Sequence, residues 1–116
     1  MEVKQLFGKC PYLTAQKVLT GKWALYIMYL LKDGPVRFNE LQRRMPENMT
    51  HTTLSRQLKA LEKDGLIIRQ VYSEIPPRVE YEQSAIGHKF EKVLDALEIW
   101  GNEYIAYRND PKNHLK

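Results

Sequence analysis

Cysteine is almost absent from this 116-residue chain, which holds only Cys10. A single thiol excludes an intramolecular disulfide framework and a zinc site built from cysteines. Histidine is scarce as well: His51, His88 and His114 are too dispersed to make a metal site. Long hydrophobic runs are missing. The longest extends from Trp23 to Leu31, and at ~1.5 Å per residue it falls far short of the ~30 Å hydrocarbon core of a bilayer, so it reads as a core helix. The N-terminus, Met1-Glu2-Val3-Lys4-Gln5, carries charge and offers no secretory hydrophobic region. There is no internal repeat, low-complexity stretch or linker. These absences describe a single soluble, cytoplasmic domain over 1–116, with no membrane segment and nothing that calls for a cofactor.

The residues that are present fit a globular chain, at 43% hydrophobic and 28% charged. The formal net charge is +4, a modest excess whose distribution matters more than its size. Residues 1–79 carry 13 Lys and Arg against 7 Asp and Glu, a net of +6, whereas residues 80–116 carry 5 against 7, a net of −2. The front of the chain is therefore the part suited to a polyanion.

Local signals predict a mainly α fold with a small β-hairpin (α+β). A first helix starts at Cys10-Pro11, since proline suits the first helical position, and stops near Gly21. A second spans about Lys22 to Lys32, with Trp23, Ile27, Leu30 and Leu31 at core spacing, and a short extended piece, Val36-Arg37-Phe38, follows. Asn39 with Gln42 three residues on predicts a capping box opening a short helix before Pro46. Thr50 caps the next helix, striped by Leu54, Leu58 and Leu61 and closed by Gly65. The stretches 66–72 and 78–82 are rich in β-formers and flank Ser73-Glu74-Ile75-Pro76-Pro77, which predicts a hairpin with a proline-stiffened tip. Ser84 caps a last helix whose Ile86, Phe90, Val93, Leu94, Leu97, Trp100 and Tyr104 hold one stripe for five turns. This order is that of a winged helix-turn-helix with an extra helix at each end.

The helix after Thr50 is the candidate reading element for duplex DNA. With Leu54 at 0° and steps of ~100°, Leu58 and Leu61 fall within about 40° of it, while Thr52, Arg56, Lys59 and Lys63 face the other way and Ser55 lies on the flank. Arg56 is able to grip guanine bidentately, Thr52 and Ser55 to bond bases or phosphates, and His51 to reach either. An ordinary solvated helix face is the alternative for this helix by itself. Its neighbours favour DNA: Arg37, Arg43 and Arg44 precede it on the element that would cross the backbone, and Arg78 follows the hairpin tip, where it suits a narrow minor groove. The alternative for Arg78 is pairing with Glu74 or Glu80. Ser84, His88 and Glu91 superficially suggest a hydrolase, but an open helix face provides neither a strained nucleophile nor an oxyanion hole, so the chain does not read as an enzyme. A winged-helix protein-interaction module without sequence-specific DNA readout is the competing class, and it predicts an acidic or apolar face in place of Thr52, Arg56 and Lys59.

Several segments together resemble the HxlR-type winged-helix regulators, relatives of the MarR group. They are Cys10-Pro11, Gly21-Lys22-Trp23, Arg37-Phe38-Asn39-Glu40-Leu41, Leu54 through Glu62, Gly65-Leu66-Ile67, Val71 through Tyr81 with its Pro76-Pro77-Arg78-Val79-Glu80-Tyr81 wing, and Leu97 to Trp100-Gly101. The resemblance covers residues 10–101 and implies bacterial or archaeal homodimeric regulators of transcription that bind operators of inverted symmetry. Some of them respond to electrophiles or oxidants through the N-terminal cysteine. The chain departs from the family pattern in four places. The turn Pro46-Glu47-Asn48-Met49-Thr50 is one residue longer than the usual Pro-Gly-Ile-Ser type, Thr52 replaces a basic residue, Gln83 replaces an apolar one, and Ser84-Ala85-Ile86-Gly87 lacks an acidic residue.

The terminal helix has more apolar surface than one small domain needs, which predicts a two-fold homodimer built from helices in 10–21 and 84–108 around a DNA-binding core at 22–83. Cys10 would cap the first helix, where the positive helix end and neighbouring Lys9 lower a thiol pKa. That makes it the redox-sensing candidate, with an oxidant or small electrophile as effector. The plainer alternative is a half-buried residue with no sensing role.

Overall fold

The computed structural model describes residues 3–113. After a 3-10 turn (Val3–Leu6) come α1 (Pro11–Val18), α2 (Ala24–Leu30), β1 (Val36–Arg37), α3 (Phe38–Arg43), α4 (His51–Lys63), β2 (Ile67–Tyr72), β3 (Arg78–Gln83), α5 (Ala85–His88), α6 (Glu91–Asn109) and a final 3-10 turn (Pro111–Asn113). The strands form one antiparallel sheet in the order β1-β3-β2, with Val36 opposite Tyr81 and Ile67 opposite Gln83. This is the expected mainly α arrangement, and the wing is the β2–β3 hairpin.

The core is made by the middle of the chain. Ala24, Ile27, Met28, Leu30 and Leu31 of the α2 region meet Leu41 and Met45 around α3, Leu54, Leu58 and Leu61 of α4, and Ile67 and Tyr81 of the sheet. The i, i+4, i+7 stripe of α4 is buried as its spacing requires. Two local devices fix that helix. Thr50 accepts a hydrogen bond from the Thr53 N–H at 3.1 Å. At the other end Gly65, at φ +81°, lets Leu66 N–H donate to Leu61 C=O and its own N–H donate to Glu62 C=O, which satisfies the last carbonyls.

Three expectations are corrected. The short helix begins at Phe38 with Arg37 before it, so the extended piece is two residues long and no capping box forms at Asn39. Phe38 turns inward against the core, and Gln42 donates to the Met49 carbonyl at 3.2 Å instead of reaching back. The longer turn 46–50 thereby acquires its own brace. The first two helices are also shorter than expected, ending at Val18 and beginning at Ala24.

The last correction matters most. Ser84 does cap a helix, its Oγ accepting from Gly87 N–H at 3.1 Å and donating to Gly65 C=O at 2.6 Å. That helix is only α5, and the chain turns at Lys89-Phe90 before α6 begins. Gly87 lies inside α5. It is buried against β2 so closely that a Cβ there would run into the Leu66 carbonyl oxygen. With the turn at Lys89-Phe90, the stripe from Ile86 to Tyr104 is not one continuous helix face. Gln83, where an apolar residue was the family's habit, is buried and donates to the Met28 carbonyl at 2.7 Å, giving a donor to the end of α2.

The outer helices differ from this core, for α1 and α6 contain no buried residue. A radius of gyration of 16.9 Å exceeds the ~13 Å of a compact chain of this length. On α6, Val93, Leu97, Trp100, Tyr104 and Tyr107 are exposed, Trp100 at 61%, and the three aromatic rings stack in succession. Among the described residues no helix is long and apolar enough to cross a membrane.

Candidate nucleic-acid interface

The site is built on α4. With Leu54, Leu58 and Leu61 locked into the core, Thr52, Arg56, Lys59 and Lys63 are exposed on the outer side and Ser55 is half-buried on the flank. His51, in the first turn, stays exposed while its ring packs 4.5 Å from that of Phe38. This contact fixes the start of α4 against the start of α3.

Beside α4 lies a cleft of about 490 Å³ between the beginning of α3 and the wing. Arg37, His51, Ser55 and Arg78, each singled out from sequence, line it together. Thr50 stands at the head of α4 as its cap, while Thr52, Arg56 and Lys59 project from the helix and do not line the cleft. Sequence reasoning missed Arg69, which lines the same cleft. The signal was present in the strand period: Arg69 lies two residues after buried Ile67 and opposite buried Tyr81, so it shares their side of the sheet just beyond the core. A cation there points along the face that meets α4.

Arg78 is less free than a wing-tip arginine reads from sequence. Its Nη2 lies 3.3 Å from Glu74, its Nε 3.5 Å from Glu80, and its guanidinium 4.0 Å from the centre of the Tyr72 ring. Both carboxylates named as alternative partners thus engage it, and its side chain is 26% exposed. Arg43 and Arg44 both pair with Glu40, so α3 presents less net charge than its two arginines suggest.

Ser84, His88 and Glu91 do not assemble. The Ser84 hydroxyl is committed to its cap and to Gly65, while His88 and Glu91 lie on either side of the α5–α6 turn. Among the described residues no group of three or more His, Cys, Asp or Glu is placed to hold a metal ion, and His114 lies outside them. Cys10 is half-buried at the N-cap of α1, its carbonyl accepting from Thr14 N–H at 2.9 Å and its thiol making no capping bond.

Known proteins share this architecture. The HTH-type transcriptional regulator YdeP of Bacillus subtilis is 40% identical over 98 residues, covering 84% of this chain and 76% of YdeP. The crystal structure of the HTH-type transcriptional regulator YtcD superposes with a TM-score of 0.77 at 42% identity, covering 84% of this chain and 98% of that one. The redox regulator HypR in its reduced form superposes at 0.78 with 33% identity, over 90% of this chain and all of the other. Residues 18–109 match the HxlR-like helix-turn-helix family. A buried leucine stripe, a capped α4, a two-stranded wing and a match over most of its length place one conclusion on firm ground: the chain belongs to the HxlR-like helix-turn-helix family of transcriptional regulators.

Proposed function

We propose that the chain binds duplex DNA sequence-specifically as a homodimer on an operator of inverted symmetry, with α4 in the major groove. The observation that carries this reading is the division of α4 into a buried leucine face and an exposed face of Thr52, Arg56 and Lys59 with no carboxylate among them. Arg56 reads a base edge, Thr52 and Ser55 bond bases or phosphates, and Lys59 adds phosphate contact. Arg37, His51, Arg69 and Arg78 bring backbone contact from the cleft and the wing, and the Thr50-capped end of α4 favours an anion.

The 22–83 region serves as the reading head, and α1 with α6 forms the two-fold interface. The apolar and aromatic side chains along α6 are left in water by the single chain, and a second copy is the partner whose matching surface would cover them. The two reading helices then sit ~34 Å apart, on successive major-groove turns. Selection of bound sequences from a random duplex pool tests this directly. An inverted repeat is expected to emerge, with affinity falling steeply on a log–log salt plot as counterions are released. A flat salt response and no enriched sequence would remove the reading.

Cys10 supplies the switch in this scheme. It sits at the N-cap of α1, beside the proposed interface, and the similar protein HypR is a redox regulator. Oxidation or alkylation of the thiol changes how the two heads are spaced, and so whether both engage. Cys10→Ser protein is expected to stay on its operator under diamide or a quinone while the wild type is released. Equal release of both proteins in a mobility-shift assay would rule Cys10 out.

A further inference from the structure

Glu80 is a carboxylate set among the cations of the wing. It stands on β3 opposite Arg37 of β1 and two residues from Arg78, so strand alternation puts all three side chains on one side of the sheet. One oxygen, Oε2, lies 3.9 Å from Arg37 Nε and 3.5 Å from Arg78 Nε. The second carboxylate nearby, Glu74, touches Arg78 alone, at 3.3 Å. The two acids also differ in exposure, at 18% for the Glu80 side chain and 50% for Glu74.

Next to a polyanion, a sequestered negative charge is a cost on charge grounds alone. Its geometry gives it a use. Arg37 is where the chain enters α3, Arg78 is the first residue after the wing tip, and both line the cleft beside His51 and Ser55. One carboxylate oxygen therefore ties a cation of the helix-turn-helix to a cation of the wing. A guanidinium has five donors in a fixed fork, so a contact at Nε leaves others for phosphate. An arginine already held in place surrenders less rotamer freedom when it grips a ligand.

We propose that Glu80 is a positioning residue for DNA binding, holding Arg37 and Arg78 at the separation that grips the phosphates flanking the wing. This rests on the DNA-binding reading above. Glu74, exposed and in contact with Arg78 alone, is a competitor that a phosphate displaces.

The test is a salt titration of the full-length protein on the selected operator duplex. Glu80→Gln is expected to weaken binding about threefold, the worth of ion-pair contacts at 3.5 and 3.9 Å that lie outside hydrogen-bond geometry, and to lower the log–log salt slope. Its thermal midpoint is expected to fall by a few degrees at most, since Arg78 keeps Glu74 and the Tyr72 ring as partners. Glu74→Gln is expected to bind as well as the wild type or better. A double-mutant cycle, read below the lower melting midpoint, adds the decisive check. In an Arg37→Ala, Arg78→Ala background Glu80→Gln should lose most of its effect, a coupling that general loosening of the fold does not produce. Binding by Glu80→Gln at or above wild-type affinity overturns the proposal, and so does an undiminished effect in that background. A wild-type protein without salt-dependent binding would instead remove the DNA-binding reading itself.

Discussion

Replacing Arg56 by alanine is expected to cost ~1–3 kcal/mol of operator affinity and to relax base preference at one position in each half-site. The size follows from geometry. Arg56 is exposed on the side of α4 opposite Leu54 and Leu58, and among the described residues no ion pair holds it back. Its fork matches the two acceptors of guanine in the major groove, and alanine leaves both unmet. Arg37→Ala is the contrast: Arg37 lies outside α4, at the entry to α3, and its loss should weaken all sequences alike while lowering the salt slope. Binding of each variant to a panel of single-base operator variants separates the two roles. A uniform loss from Arg56→Ala would demote it to a phosphate contact.

Trp100→Glu is expected to convert the proposed dimer to a monomer and to lower operator affinity by ~10²–10⁴, the advantage of engaging two half-sites at once. Trp100 is 61% exposed, outside the core, and stacked 5.2 Å from Tyr104 in the middle of the α6 stripe. A carboxylate there would bring one charge from each subunit into the proposed apolar contact, where desolvation opposes association. The core of each chain runs from Ala24 to Tyr81 and does not include that residue, so helical content should survive in the variant. Sedimentation velocity at micromolar concentration reads the outcome. A wild-type monomer, or a variant that still dimerises, sinks the assignment of α6 to the interface.

The elements legible in the sequence are those whose causes are local. Thr50, the Leu54-Leu58-Leu61 stripe and Gly65 each act within a few residues, and α4 lies where they put it. What was not legible depends on contacts between distant segments. Gln42 was free to close a capping box until the Met49 carbonyl offered it a partner. The apolar spacing from Ile86 to Tyr104 is helical throughout, yet the chain turns at Lys89-Phe90 and divides it between α5 and α6. The site shows the same division. Arg37, His51, Ser55 and Arg78 could be named by type and order, whereas Arg69 needed the register of β2 against β3 to bring it into the cleft. For Arg78 the sequence supplied both possible acids, and the fold engages both.

The turn at Lys89-Phe90 has a mechanical side. Nineteen residues of α6 form an arm ~28 Å long, joined to the rest of the fold through the two residues Lys89 and Phe90. A tilt of about ten degrees at that joint swings the far end of the arm by about 5 Å, more than the 3.4 Å rise of one base pair. Had Ser84 opened a single unbroken rod, the same displacement would have required bending a helix along its length. In the proposed dimer, with α6 at its interface, a change of angle at this joint would convert a small rearrangement between subunits into a whole step along the duplex.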